Sequence, residues 1–234
     1  MNKASSEIAL SLEGVTKTYY IGASKIKALN NISLKLKEGE SLCIMGPSGS
    51  GKTTLLKVSA GLLKPDSGKV KLFGMDIYAL SDKERIKLRR LLTAFMFQED
   101  LLIETMSIKE NVELPLIIEG YSKEAREPLV EKALKNVGLE NKSDRKPSEV
   151  SGGERRRISL ARCLVKSPKI IFVDEPTSNL DSVTASAMLQ LLKELNEKGA
   201  TIILSTHDPL VAEIFNNIIY LRDGLIQKGL KIKY

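Results

Sequence analysis

Tryptophan is absent from this chain, histidine occurs once and cysteine twice, and aromatic residues make up only 5% of the sequence. Two cysteines, Cys43 and Cys163, with no C-x-x-C spacing exclude a disulfide framework or a thiolate zinc site. They point to unpaired thiols in a reducing compartment. A single histidine, His207, excludes a histidine-rich metal centre. Long apolar runs are missing as well: no stretch approaches the roughly 18 residues a membrane span needs. No apolar h-region follows Met1 to Glu7, so secretion is not expected and the chain reads as cytosolic. The net charge is +7, from 36 basic and 29 acidic residues. The basic residues are scattered, with small clusters only at Arg89-Arg90 and Arg155-Arg156-Arg157, and no aromatic face accompanies them. Nucleic acid is therefore not the expected partner, and a solvated surface or attraction to an anionic membrane leaflet explains the excess equally well.

What is present is organised around Gly46, Pro47, Ser48, Gly49, Ser50, Gly51, Lys52 and Thr53, between the apolar run Leu42 to Met45 and the helical start Thr54-Leu55-Leu56. This is a G-x-x-x-x-G-K-[ST] stretch in a strand, turn and helix context. The glycines let successive backbone N–H groups face one concavity, and the helix start adds the positive end of its dipole. Lys52 supplies an ammonium for β- and γ-phosphates, and the Thr53 hydroxyl is suited to Mg²⁺. The expected ligand is a nucleoside triphosphate.

Along the chain, alternation at Ile8, Leu10 and Leu12 predicts a strand stopping at Gly14, and Ile32, Leu34 and Leu36 predict a second. The helix after the phosphate loop is expected to run to Leu62-Leu63, before the turn Lys64 to Gly68 and a short strand Lys69 to Phe73. The early strands read as an antiparallel sub-sheet. Ser81 to Glu84 is a capping box opening a basic helix through Arg90, and Ala94 to Phe97 is a strand that delivers Gln98 into a loop. Ser107 and Glu110 cap a short helix that Pro115 is expected to interrupt, and Lys123 to Val137 is helical up to Gly138. The expected organisation is one domain over 1–234, a catalytic core with its β subdomain at 1–98 and 151–234, and a helical subdomain at about 99–150. The fold class is α/β, a P-loop core with a mostly parallel sheet.

Ile170 to Val173 reads as a central parallel strand beside the phosphate-loop strand, carrying Asp174 and Glu175 to its C-terminal edge. Asp174 is the expected Mg²⁺ contact and Glu175 the group that orients or deprotonates water. Helix Val183 to Lys198 and strand Thr201 to Ser205 follow, the strand placing His207 where a ring N–H can meet a γ-phosphate. Asp208-Pro209 is expected to start another helix, and a hairpin spans Ile218 to Lys228. Gln98 suits Mg²⁺ or water, and Tyr19 or Tyr20 suits an adenine ring or the core. Val150, Ser151, Gly152, Gly153 and Glu154 form a second capped helix start with anion-binding character. If the helical insert projects, the two helix starts cannot share one nucleotide within a protomer; a head-to-tail dimer resolves this, and a plain capped helix is the simpler alternative.

Taken together these residues resemble the nucleotide-binding subunit of ATP-binding cassette (ABC) transporters over nearly the whole chain. Gly46 to Thr53 is similar to the Walker A motif, Gln98 to the Q-loop, Val150 to Glu154 to the signature motif, and Ile170 to Glu175 to Walker B. Ser178 to Asp181 resembles the D-loop, His207 the switch histidine and Tyr19 the adenine-stacking aromatic. The resemblance implies ATP and Mg²⁺ as ligands, with Thr54 and Asp181 also on the nucleotide. It further implies a dimer closing on two Mg-ATP, either homodimer or paired cassette subunits, and a membrane permease received around Gln98 to Tyr121. The chain would then sit on the inner face of the cell membrane. Subfamily features at Val15 to Tyr19 and Glu110 to Pro115 resemble lipoprotein-release and macrolide-export systems. The motif usually reads Leu-Ser-Gly-Gly-Gln; here Val150 and Glu154 take the outer positions, and Glu154 is expected to turn back toward the first turn of its helix. A DNA-maintenance cassette is disfavoured because the insert lacks sustained heptads; a cell-division cassette remains an alternative, separable by its membrane partner.

Overall fold

The computed structural model describes residues 8–22, 24–208, 211, 214, 215 and 217–227. Strand β1 (Ile8–Ile21) pairs antiparallel with β2 (Ser24–Lys37) and β4 (Ser67–Leu72), and β5 (Met75–Asp76) completes a four-stranded sheet in the order β2-β1-β4-β5. The antiparallel sub-sheet read from the alternation is thus present. Its first strand does not stop at Gly14, however. Gly14 takes φ 61° and the register with β2 shifts between Leu12 and Val15. The chain crosses the glycine as a bulge and continues pairing to Ile21.

The second sheet contains β3 (Ser41–Met45), β6 (Thr93–Met96), β7 (Ile170–Asp174), β8 (Thr201–Thr206), β9 (Ile218–Arg222) and β10 (Leu225–Gln227), in the order β10-β9-β3-β8-β7-β6. All neighbours are parallel except the terminal hairpin β9–β10. The sequence expectation that β7 adjoins the phosphate-loop strand is corrected: β8 lies between β3 and β7. Both β7 and β8 are buried along their whole length, so neither shows an alternating pattern that would reveal its neighbours.

Period-two alternation divides the core. Leu42 and Ile44 of β3 face one side with Leu55 and Leu56 and the inner residues of the antiparallel sheet. Cys43 and Met45 face the other, with Val112, Ile158 and Leu189 from the helical side. Burial, followed by the negative charge of Glu175, pushes the Cys43 thiol up to about 12. Both cysteines are free.

Helix α1 (Lys52–Ser59) ends earlier than Leu62-Leu63. Gly61 turns left-handed at φ 73°, and the Tyr78 hydroxyl donates to the carbonyls of Val58 and Leu63 at 2.7 and 2.5 Å. A distant side chain thereby takes over carbonyls that helix continuation would have served. Helix α2 (Asp82–Leu92) has the expected Ser81–Glu84 capping box. Helix α3 (Ile108–Ile118), capped by Ser107 and Glu110, runs straight through Pro115 rather than breaking there. Its buried stripe Ile108, Val112 and Leu116 packs into the core, which offsets the one backbone bond that proline removes. Helix α4 (Lys123–Asn136) starts at a Ser122 cap and leans on α3 through Arg126 Nε, 2.7 Å from Glu113 Oε1. Helices α5 (Gly152–Leu164) and α6 (Ser182–Glu197) complete the described set. Among the described residues no helix is long and apolar enough to cross a membrane. The helix expected after Asp208-Pro209 and the end of the hairpin at Lys228 fall outside the described residues.

Candidate functional site

Because β3, β6, β7 and β8 run parallel, the residues following Met45, Met96, Asp174 and Thr206 all leave the sheet at one edge. A cavity of about 750 Å³ opens there. The phosphate-loop residues Pro47, Ser48, Gly49, Gly51, Lys52, Thr53 and Thr54 line it together with Gln98, Glu175, His207, Tyr19 and Tyr20.

The loop's shape depends on glycine at two positions. At Gly46 (φ 155°) a Cβ would lie 2.1 Å from the Leu221 carbonyl oxygen; at Gly51 (φ 104°) it would lie 2.1 Å from that of Ala28. Neither backbone oxygen can withdraw without disturbing its strand. Gly51 is also the N-cap of α1, with no side-chain cap and no acidic residue in the first turn. Helices α2 to α6 are each capped by a side chain, from Ser81, Ser107, Ser122, Ser151 and Asp181 respectively. The N–H groups of α1 are therefore left for an anion.

Lys52 is buried and folds back over the loop. Its Nζ donates to the carbonyls of Gly46 and Pro47 at 2.9 and 3.1 Å and lies 3.4 Å from Glu175 Oε1. The other carboxylate oxygen of Glu175 is 2.9 Å from His207 Nδ1, which donates to it. Glu175 follows β7 with φ 48°, a left-handed corner that turns its side chain into the cavity; its N–H is held by the Ser205 carbonyl at 3.1 Å. Asp174 accepts hydrogen bonds from Thr53 Oγ1 at 3.1 Å and Ser205 Oγ at 2.5 Å. Ser205, at the end of β8, thus bridges the two strands whose order differs from expectation, and it was not singled out in the sequence. Its only signal there is a hydroxyl ending an apolar run. Ile26 and Ala28, also in the cavity wall, carry no sequence signal at all.

An ABC transporter family profile matches residues 29–178. The chain belongs to the ABC transporter family. An uncharacterized ABC transporter ATP-binding protein of Methanocaldococcus jannaschii, MJ1508, is 45% identical over 92% of this chain and 96% of its own length. The macrolide export ATP-binding/permease protein MacB of Chlorobaculum tepidum is 40% identical over 93% of this chain, which spans only 33% of that longer protein. Among solved structures, the ATP-binding cassette MJ0796 of M. jannaschii, seen as a dimer in a post-hydrolysis state with ADP and Pi, superposes with a TM-score of 0.87 at 43% identity. That match covers 96% of this chain and 99% of the other. As a member of this family the chain is a nucleotide-binding ATPase subunit of a transporter.

The remaining motif residues of this ABC cassette do not join the cavity. Ser151 and Gly152 are exposed at the start of α5, and Asp181 caps α6 by accepting from the N–H groups of Val183 and Thr184 at 3.1 and 3.0 Å. Glu154 does turn back: Oε2 accepts from the Ser151 N–H at 3.1 Å, and Oε1 pairs with Lys142 and, at 3.9 Å, Arg157. The Lys142 ammonium, opposed by partial burial, holds its carboxyl below the usual range. Gly152 faces open space, whereas a Cβ on Gly153 would lie 2.1 Å from Thr184 Cγ2. Thr184 cannot easily yield, because its hydroxyl donates to Asp181 at 2.6 Å. Gly153→Ala is therefore expected to destabilise the α5–α6 packing by about 1–3 kcal/mol in urea unfolding. Adding Thr184→Ser, which deletes only the methyl, should recover most of the loss. A single variant as stable as the parent would show that the glycine is not a packing requirement.

Proposed function

We propose that this chain binds Mg-ATP in the cavity and hydrolyses it after closing head-to-tail on a second cassette, so that each triphosphate lies between the phosphate loop of one copy and Ser151, Gly152 and Gly153 at the start of α5 of the other. The carrying observation is the division of the motifs: cradle, Glu175 and His207 share one cavity, with the buried Asp174 bonded to Thr53 of its wall, while Ser151 and Gly152 are exposed and outside it. That the MJ0796 relative is a dimer bound to ADP and Pi supports a two-copy reading.

In this reading Gly46 to Thr54 hold the phosphates, with Lys52 leaving Glu175 for them, and Tyr19 stacks on the adenine. Glu175 accepts the proton of the attacking water, and His207 steadies that water and the γ-phosphate. Thr53, Asp174 and Gln98 are the metal residues. Their hard oxygen donors fit Mg²⁺, and the lack of any three-ligand His/Cys/Asp/Glu cluster among the described residues suits an ion that keeps waters and substrate phosphates as ligands. When bound, Mg²⁺ neutralises charge on the β- and γ-phosphates. Asp181 acts across the dimer from the start of α6. Residues at about 99–150 form a helical subdomain on the remaining catalytic core.

A membrane permease is the partner driven by this closure, on the inner face of the cell membrane, in an exporter or lipoprotein-release type of system. Exposed Leu101, Ile103, Ile117, Ile118 and Tyr121 offer the apolar surface for it. The relative named as an ATP-binding/permease protein joins the two functions in one chain. Ser151→Arg tests the two-copy site: steady-state hydrolysis should fall by at least about 100-fold, since an oxyanion-type donor is lost and the interface is blocked. Nucleotide affinity of the isolated monomer should stay unchanged. Collapse of monomer affinity instead would place Ser151 in its own chain's site and overturn the arrangement.

A further inference from the structure

Helix α5 holds the segment after Gln98 with a row of side chains. Arg155 Nε and Nη2 donate to the two carboxylate oxygens of Asp100 at 2.7 and 3.2 Å, and Nη2 and Nη1 reach those of Glu104 at 2.6 and 3.3 Å. One turn on, Ser159 Oγ donates to the Asp100 carbonyl at 2.7 Å. One further turn on, Arg162 donates to the Asp100 and Leu101 carbonyls at 2.7 and 2.8 Å. Positions 155, 159 and 162 lie on one face of the helix, as i, i+4 and i+7 spacing requires. Arg156 emerges beside them, is buried, and donates to the Phe97 carbonyl at 3.1 Å and to Ser178 Oγ at 2.8 Å. The same segment carries Leu101 at φ 48°, a left-handed conformation that a leucine adopts only when its surroundings hold it. That conformation accompanies a Leu101 side chain exposed beside Ile103.

Arg155 differs in kind from an ordinary surface ion pair. Its planar fork engages two carboxylates at once, and it and Asp100 are each only 24% exposed at their side chains. It also stands one turn from the Ser151 cap, on the same rigid helix. We propose that Arg155 is a positioning residue that makes the exposed segment 100–104 and the Ser151 end of α5 move as one body, so that closure of a partner's nucleotide on Ser151 shifts the apolar surface of Leu101 and Ile103. This rests on the reading above that Ser151 meets the partner's nucleotide. Arg155 needs no contact with ATP for this role; it transmits by geometry through a shared helix.

Amide hydrogen exchange on the full chain, in a Glu175→Gln background with and without Mg-ATP, tests the link. ATP is expected to slow exchange both at 152–156 and at 100–106 in the parent. With Arg155→Met, which keeps the aliphatic stem, the slowing at 152–156 should persist, as should that at 100–101 under Ser159 and Arg162, while that at 103–106, around the Glu104 that Arg155 ties to α5, should be lost. The charge-reversed combination Arg155→Glu with Asp100→Arg, whose new arginine still has Glu104 beside it, should restore it. An Arg155→Met chain that keeps ATP-dependent slowing at both 152–156 and 103–106 overturns the proposal, as does one that loses it at both, which would mark a merely structural role. A Glu175→Gln parent that stays monomeric with Mg-ATP by size exclusion instead overturns the two-copy reading and the proposal with it.

Discussion

Replacing Glu175 by glutamine is expected to lower steady-state ATP hydrolysis by about 10²–10⁴-fold while leaving nucleotide binding intact. The amide has the shape of the carboxylate but cannot accept the proton of an attacking water. Its surroundings tolerate the change. Lys52 keeps its bonds to the Gly46 and Pro47 carbonyls, the residue's own N–H keeps Ser205, and an amide oxygen can still accept from His207. In the two-copy reading proposed above, a closed pair that cannot hydrolyse its nucleotide has no product state from which to separate, so the variant should accumulate as a dimer in Mg-ATP. Phosphate-release kinetics and size exclusion read the two effects separately. Wild-type turnover in the variant would remove Glu175 from the chemistry altogether.

Lys52→Ala should act one step earlier, on binding itself. The ammonium is placed among two loop carbonyls and Glu175, and a triphosphate entering the nest offers it stronger, charge-assisted partners. Losing one or two such bonds costs about 2–4 kcal/mol, or roughly 30- to 1,000-fold in affinity. The substitution also leaves the buried Glu175 carboxylate without its lysine, so the nucleotide-free protein should become less stable as well. Titration with a fluorescent ATP analogue measures the first effect. The rise in thermal midpoint on adding saturating Mg-ATP, present in the parent, should be largely absent. An unchanged dissociation constant would contradict the placement of Lys52 on the phosphates.

The parts of this architecture that were legible in the sequence are those encoded locally. The phosphate loop, the Ser81, Ser107 and Ser151 capping boxes and the buried runs before Asp174 and Thr206 each follow from a few adjacent residues. What was not legible depends on residues far apart in the chain. The interposition of β8 between β3 and β7 leaves no mark on either fully buried strand. The early end of α1 depends on Tyr78, twenty residues beyond Val58, and the persistence of α3 through Pro115 depends on a core its own turn cannot reveal. At the site, the phosphate-loop lysine and the Glu175–His207 pair fell where motif and strand ends put them. Ser205 and Arg156 escaped because a lone hydroxyl and an arginine among arginines gain meaning only from the Asp174 oxygen and the Phe97 carbonyl beside them. Gly153 shows a further gap: the motif gives its backbone a phosphate to meet, and only the fold adds the packing on Thr184 as a second reason for it to be glycine.

The backbone corner at Glu175 sets the molecule's durability against its turnover. A long side chain held at φ 48° costs about 1–2 kcal/mol that a glycine would not. Glycine or asparagine there would relieve that strain but would also leave the buried Lys52 ammonium without its carboxylate. The corner can therefore be relaxed with a net gain in stability only when the lysine is replaced as well, and such a protein no longer cuts ATP. In a library screened only for survival on heating, paired substitutions at positions 52 and 175 should be enriched among the inactive survivors over either one alone.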